Sequence, residues 1–253
     1  MNPARVIPCL LLADRRLVKT VRFSKPAYVG DPANTISIFS GLGADEIFLL
    51  DIVATRAGNG PNVAELERLA CEASVPLAFG GAISSVDHVR RVLAAGAEKA
   101  VISTAAFENP GFITAAADVA GSQAIVASID VSAAPDGRQF VFTHGGSRST
   151  GREPVEYARE LERLGAGEIL LNSIDRDGSF AGYDVTLIQA VCAAVRVPVI
   201  AGGGAGTRQH VRDAIQVGGA SAAAAGSLFV YQKANRSVLI NYPRRSELEG
   251  LFA

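Results

Sequence analysis

Eight short apolar runs recur along the chain, beginning near Arg5, Glu46, Val75, Lys99, Ala124, Glu168, Val197 and Ala220. Each spans about five to seven residues without the polar alternation of a one-faced antiparallel sheet, so each reads as a strand covered on both sides. Between them lie helical patterns, the clearest over 63–74, 86–95 and 154–164. Strand–helix alternation of this kind predicts parallel strands joined by right-handed crossovers.

The pattern repeats. The segment VPLAFGGAISSVDHVRRVLAAGAEKAVISTAAF (75–107) matches VPVIAGGGAGTRQHVRDAIQVGGASAAAAGSLF (197–229) at an offset of 122 residues, and ADEIFLLDI (44–52) matches AGEILLNSI (166–174) at the same offset. RVIPCLL (5–11) corresponds to IVASID (125–130). Four strand–helix units in each half make eight. The fold class expected is therefore α/β: a single (β/α)8 TIM barrel with an internal half-barrel repeat, one domain over 1–253 with no linker. An open doubly wound sheet is the alternative, and a half-chain repeat of four matching units does not suit it.

Composition narrows the function. With 49% apolar and 19% charged residues the chain is ordered and globular. Twenty-four Lys and Arg against 25 Asp and Glu leave a net charge of −1, without the basic excess of a nucleic-acid partner. Cys9, Cys71 and Cys192 are odd in number and scattered, which argues against a disulfide framework or a metal site and for a cytoplasmic protein. The apolar run from Val6 to Ala13 is too short for a membrane span. No membrane association, metal or cofactor is expected.

In a barrel of this kind the chemistry belongs where the strands end. Gly80-Gly81 and Ser103-Thr104 follow strands 3 and 4, while Gly202 to Gly206 and Gly226-Ser227 follow strands 7 and 8. Glycines let the backbone approach an anion closely, so the two sets read as phosphate cradles, with Gly203, Gly204, Gly206, Gly226 and Ser227 in one and Gly81, Ser103 and Thr104 in the other. The plain alternative is a set of tight turns. Asp51, Asp130, Asp175 and Asp177 end strands or open loops, where a carboxylate can act as general acid or base, or can simply cap a helix. In SIDRDG (173–178) one carboxylate is expected to pair with Arg176 and the other to face the site. His88 and His210 are repeat-related helix residues expected on the outer face; His144 could line the mouth.

Asp51, Asp130, SIDRDGSFAGYD (173–184) and AGGGAG (201–206) carry a resemblance over essentially the whole chain to the cyclase subunit of imidazole glycerol phosphate synthase. LVK (17–19), GDP (30–32), ENP (108–110), GSQAIVASID (121–130) and GAGEILLNSIDRDG (165–178) extend it. The resemblance implies a barrel that takes ammonia from a glutaminase partner through its interior and joins it to a ribulosyl bisphosphate aminoimidazole precursor. Two aspartates at the ends of strands 1 and 5 do the acid–base work. Asp130 matches the second; Leu11 stands where the first belongs, and Asp14 is a poor substitute. Ala82 replaces a glycine after strand 3, Ser103 an asparagine after strand 4, and position 27 is alanine instead of arginine.

At the opposite end, Arg5, Glu46, Lys99 and Glu168 match the four charged residues of the family's ammonia gate. Two cations and two anions opening strands 1, 2, 4 and 6 can neutralise one another as a plug; singly they would be ordinary surface charges. PCLLL (8–12), LVKT (17–20) and VLINYPRRSELE (238–249) resemble a paralogous branch associated with acetamidino-sugar formation in surface polysaccharides, alongside a glutaminase and a third, amidotransferase protein. The expected function is ammonia channelling to a phosphorylated small molecule, with Asp130, Asp51, Asp177 and Lys19 lining the site. The alternatives are a histidine-pathway cyclase, and a conduit that only activates the glutaminase.

Overall fold

The computed structural model describes residues 4–232 and 237–252. Eight parallel strands close on themselves: β1 (Arg5–Ala13), β2 (Ile47–Asp51), β3 (Leu77–Gly80), β4 (Lys99–Ile102), β5 (Ile125–Ala133), β6 (Glu168–Ser173), β7 (Val199–Gly202) and β8 (Ala222–Ala225). Each pairs with the next and β8 pairs with β1, the Arg5–Ala222 register completing the ring. The eight principal helices run α1 (Pro32–Gly41), α2 (Val63–Ala70), α3 (Val86–Ala94), α4 (Gly111–Ala120), α5 (Pro154–Arg163), α6 (Val185–Cys192), α7 (Arg208–Arg212) and α8 (Arg245–Phe252). This is the (β/α)8 barrel that the repeat predicts. Among the described residues no helix is long and apolar enough to cross a membrane, and the three cysteines are free thiols.

The period of two along each strand divides the apolar residues into two cores. Val6, Leu10 and Leu12 of β1 face outward into the layer beneath the helices, with Phe39, Leu66, Val89, Ile113 and Leu161. Ile7 faces inward to a second cluster with Phe48, Ala78, Val126, Leu170, Ile200 and Ala222. Reading inward along β1 gives Arg5, Ile7, Cys9 and Leu11: a charge, an apolar plug, then the floor and wall of a cavity. Ala78, Ala222 and Ala224 add the least bulk to that inner cluster.

Two hairpins were not foreseen. Residues Arg16–Val21 and Ser24–Gly30 form an antiparallel ribbon continuing from β1, with Leu11 opposite Val18. Gln139–Thr143 folds back on β5, with Asp130 opposite Phe142. The hairpins follow β1 and β5, half a barrel apart, so both halves of the repeat carry a wall over the mouth.

Candidate active site

The strand ends enclose a cavity of about 460 Å³. Asp130, Asp51, Asp177 and Lys19 all line it, as do Gly203, Gly204, Gly226, Ser227, Gly81, Ser103, Thr104 and His144. Gly206 does not: its N–H is donated to His210 Nδ1 at 3.2 Å. Asp14 lies instead in the turn after β1, with φ 49°.

Asp130 is the inward residue at the end of β5 and only 8% exposed. Burial pushes its carboxyl up to about 7, the charge of Asp177 adds to the rise, and hydrogen bonds from Asn172 and Ser103 oppose it. A carboxyl poised there can give or take a proton near neutrality. Asn172, beside it in the β5–β6 register, donates from Nδ2 at 3.4 Å. Its value as a site residue is visible in the repeat, where a polar side chain replaces the leucine at position 50, but position alone did not single it out.

The same register in the first half pairs Leu11 with Leu50, both lining the cavity. Leu11 thus occupies the place of Asp130, and Leu50 that of Asn172. One wall of the cavity is a hydrogen-bonded acid–amide pair and the opposite wall is hydrocarbon.

The other two aspartates are engaged in the framework. Asp51 accepts the N–H groups of Val53 and Ala54 at 3.1 and 3.0 Å, while burial raises its carboxyl above the usual range. Asp177 accepts the Thr20 hydroxyl at 2.6 Å and the Phe23 N–H at 3.4 Å, and its carbonyl accepts the Arg22 N–H at 2.9 Å. It fastens the first hairpin over the mouth. Gly178 lets the loops meet: a Cβ there would stand 2.2 Å from the Thr20 carbonyl oxygen.

Two expectations are corrected. Arg176 pairs with neither neighbouring aspartate. Its guanidinium donates to the carbonyls of Ala181 and Gly182 at 3.4 and 3.2 Å, because Asp175 is held by Ser132 Oγ and the Ala133 N–H, both at 2.8 Å. His88 and His210 do not face outward. Each ring folds back on its loop, Nδ1 accepting the N–H of Ser84 at 3.3 Å or of Gly206 at 3.2 Å. The ring edges lie against Gly60 and Gly182, glycines that are themselves 122 residues apart.

Lys19 is 5% exposed, and its Nζ sits over Gly226, where a Cβ would stand 2.0 Å away. Cys9 lies close by in the cavity floor, and burial pushes its thiol up to about 11, which keeps it protonated and inert. After β3, Ala82 adopts φ +53° where its repeat partner Gly204 has φ +110°. Thr104 Oγ1 accepts the His144 N–H at 3.0 Å, and His144 Nε2 lies 3.5 Å from Glu108, a cavity carboxylate that sequence reasoning passed over.

At the other end of the barrel Arg5, Glu46, Lys99 and Glu168 close into one ring. Arg5 reaches Glu46 at 2.7 Å and Glu168 at 2.6 Å; Lys99 reaches both glutamates at 2.9 Å. Glu46 is almost fully buried, and the desolvation that raises its pKa is opposed by Lys99 and Arg5. A ring in which every charge has two opposite neighbours closes the lower end while leaving no charge uncompensated.

The family described as "Histidine biosynthesis protein" matches residues 5–235. A protein of Leptospira borgpetersenii named "Putative imidazole glycerol phosphate synthase subunit HisF" is 43% identical over 249 residues, 98% of each chain. One of Pseudomonas aeruginosa, "Putative imidazole glycerol phosphate synthase subunit hisF2", is 46% identical over 245 residues, 97% of this chain and 98% of its own. The imidazole glycerol phosphate synthase subunit HisF of Caulobacter vibrioides is 45% identical over 230 residues, 90% of this chain and 88% of its own.

Proposed function

The chain belongs to the histidine biosynthesis protein family, and we propose that within it this barrel is an ammonia-channelling subunit working with a glutaminase seated at its lower face. Ammonia enters past the ring of Arg5, Glu46, Lys99 and Glu168 and passes through the interior. In the cavity it meets a phosphorylated small molecule held beside Gly203, Gly204, Gly226 and Ser227. Asp130, near its half-protonated point at neutral pH, exchanges the proton that carbon–nitrogen bond formation requires. Lys19, Asp51 and Asp177 complete the site, the last two also holding its loops. The acceptor is a sugar intermediate of surface polysaccharide synthesis, amidinated with a third, amidotransferase protein.

One observation carries this reading: the charged ring is complete while Leu11 stands in the register of Asp130. Retaining the ring and losing half of the acid–base pair fits ammonia delivery better than imidazole cyclisation. The second reading is a histidine-pathway cyclase, and the names of the relatives favour it. The two separate on the purified chain supplied with the aminoimidazole bisphosphate precursor and ammonium salt. Our reading expects turnover lower by about 10²–10⁴-fold than that of a subunit carrying both aspartates; turnover at an ordinary rate supports the cyclase.

A further inference from the structure

The two halves of the cavity differ in charge as well as in shape. Lys19 is nine-tenths buried, and among the described residues its ammonium has no carboxylate within ion-pair distance and no side-chain hydrogen-bond partner. The ammonium lines the cavity without a carboxylate to neutralise it, so an anion entering there meets a positive charge. Its Nζ lies over Gly226, at the end of β8, where any side chain would collide with it. The cation therefore points at the second-half cradle.

The first-half cradle is built differently. Thr104, the repeat partner of Gly226, carries a side chain where the second half has none, and its Oγ1 already accepts from His144. Ala82 brings a methyl group where Gly204 is bare, in a backbone conformation that favours glycine. Ser103 is hydrogen-bonded to Asp130. Among the described side chains lining the cavity, Lys19 is the one Lys or Arg, against the carboxyls of Asp51, Glu108, Asp130 and Asp177. A second phosphate at β3 and β4 would meet carboxyls and no counter-cation.

We propose that the cavity takes a ligand with a single phosphate, held by Lys19 and the ends of β7 and β8, whose far end presents uncharged hydrogen-bonding groups, such as sugar hydroxyls, to Ser103, Thr104 and His144. This rests on reading the cavity as the phosphate-binding mouth of the barrel, and it narrows the substrate class from bisphosphates to monophosphorylated polyols.

Calorimetric titration of the full chain with ribose 5-phosphate and with ribulose 1,5-bisphosphate tests it, at one ionic strength and up to millimolar ligand. The two dissociation constants are expected within about threefold of each other. Lys19→Met weakens both by about tenfold or more, as removal of a charged hydrogen-bond partner should. Lys19→Arg, which preserves the charge, retains most of the affinity and guards against mistaking misfolding for lost binding. The proposal is overturned if the bisphosphate binds more than about tenfold tighter, if neither compound binds, or if Lys19→Met binds like the parent. Neither glutamine nor ammonia enters this experiment, so its failure is separable from failure of the ammonia-channelling reading.

Discussion

Asn172 donates to Asp130 across the β5–β6 register at 3.4 Å, and half a barrel away Leu50 and Leu11 hold the same two places. The duplicated backbone thus carries a polar pair on one wall and an apolar pair on the other. Of these four side chains, Asp130 alone can exchange a proton, so the proposed reaction draws on a single acid–base group here.

Leu11→Asp restores a carboxyl to the apolar wall. If the remaining site can hold the aminoimidazole bisphosphate precursor, ammonium-dependent turnover should rise by about tenfold or more, part of the 10²–10⁴ that a positioned acid or base supplies. The variant should also be less stable, since a carboxyl beside Leu50 lacks the amide that Asp130 enjoys. Steady-state turnover and urea melts measure the two effects. Parent turnover already at an ordinary rate would remove the reason for the substitution to matter.

Asp130 should make stability depend on pH in an unusual sense. Its folded pKa is raised to about 7, so the folded chain holds this proton more tightly than the unfolded chain, and stability falls as pH rises from about 4 towards 7. Asp130→Asn cannot ionise. Its stability relative to the parent should be greater at pH 8 than at pH 5, by about 2–3 kcal/mol. Melts at the two pH values decide it; an equal difference from the parent at both would show that burial does not govern this carboxyl.

Ala82 holds φ +53° where its counterpart is glycine. Ala82→Gly should stabilise the protein by about 1 kcal/mol, and Ala82→Val should destabilise it by more than that. Thermal melts of the pair give the sign directly.

Much of this architecture was legible because continuous apolar runs and a 122-residue offset count the strands. Arg5, Glu46, Lys99 and Glu168 could be placed together because each sits at a strand start. The first hairpin was hidden because its turns use Asp14, Arg15, Arg22 and Phe23 at positive φ, residues that give none of the Gly or Asn signal of a hairpin turn. The second turns through Pro135, Asp136 and Gly137, where that signal is present. The roles of Asp177, Arg176 and His210 depend on which loop lies opposite, a tertiary fact that neither spacing nor periodicity encodes.

The central claim, that this barrel receives ammonia through its charged ring, is tested most directly by glutamine hydrolysis. A glutaminase subunit of the imidazole glycerol phosphate synthase type is assayed alone, with the parent barrel and with Lys99→Ala. Removing Lys99 leaves Glu46 and Glu168 sharing Arg5 alone, which should break the coupling without abolishing the fold. The parent should stimulate hydrolysis by about tenfold or more, within the range of allosteric coupling between sites, and Lys99→Ala should lose most of that stimulation while still melting cooperatively. No stimulation by the parent, or equal stimulation by Lys99→Ala, would contradict the claim and leave the four charges as a structural plug.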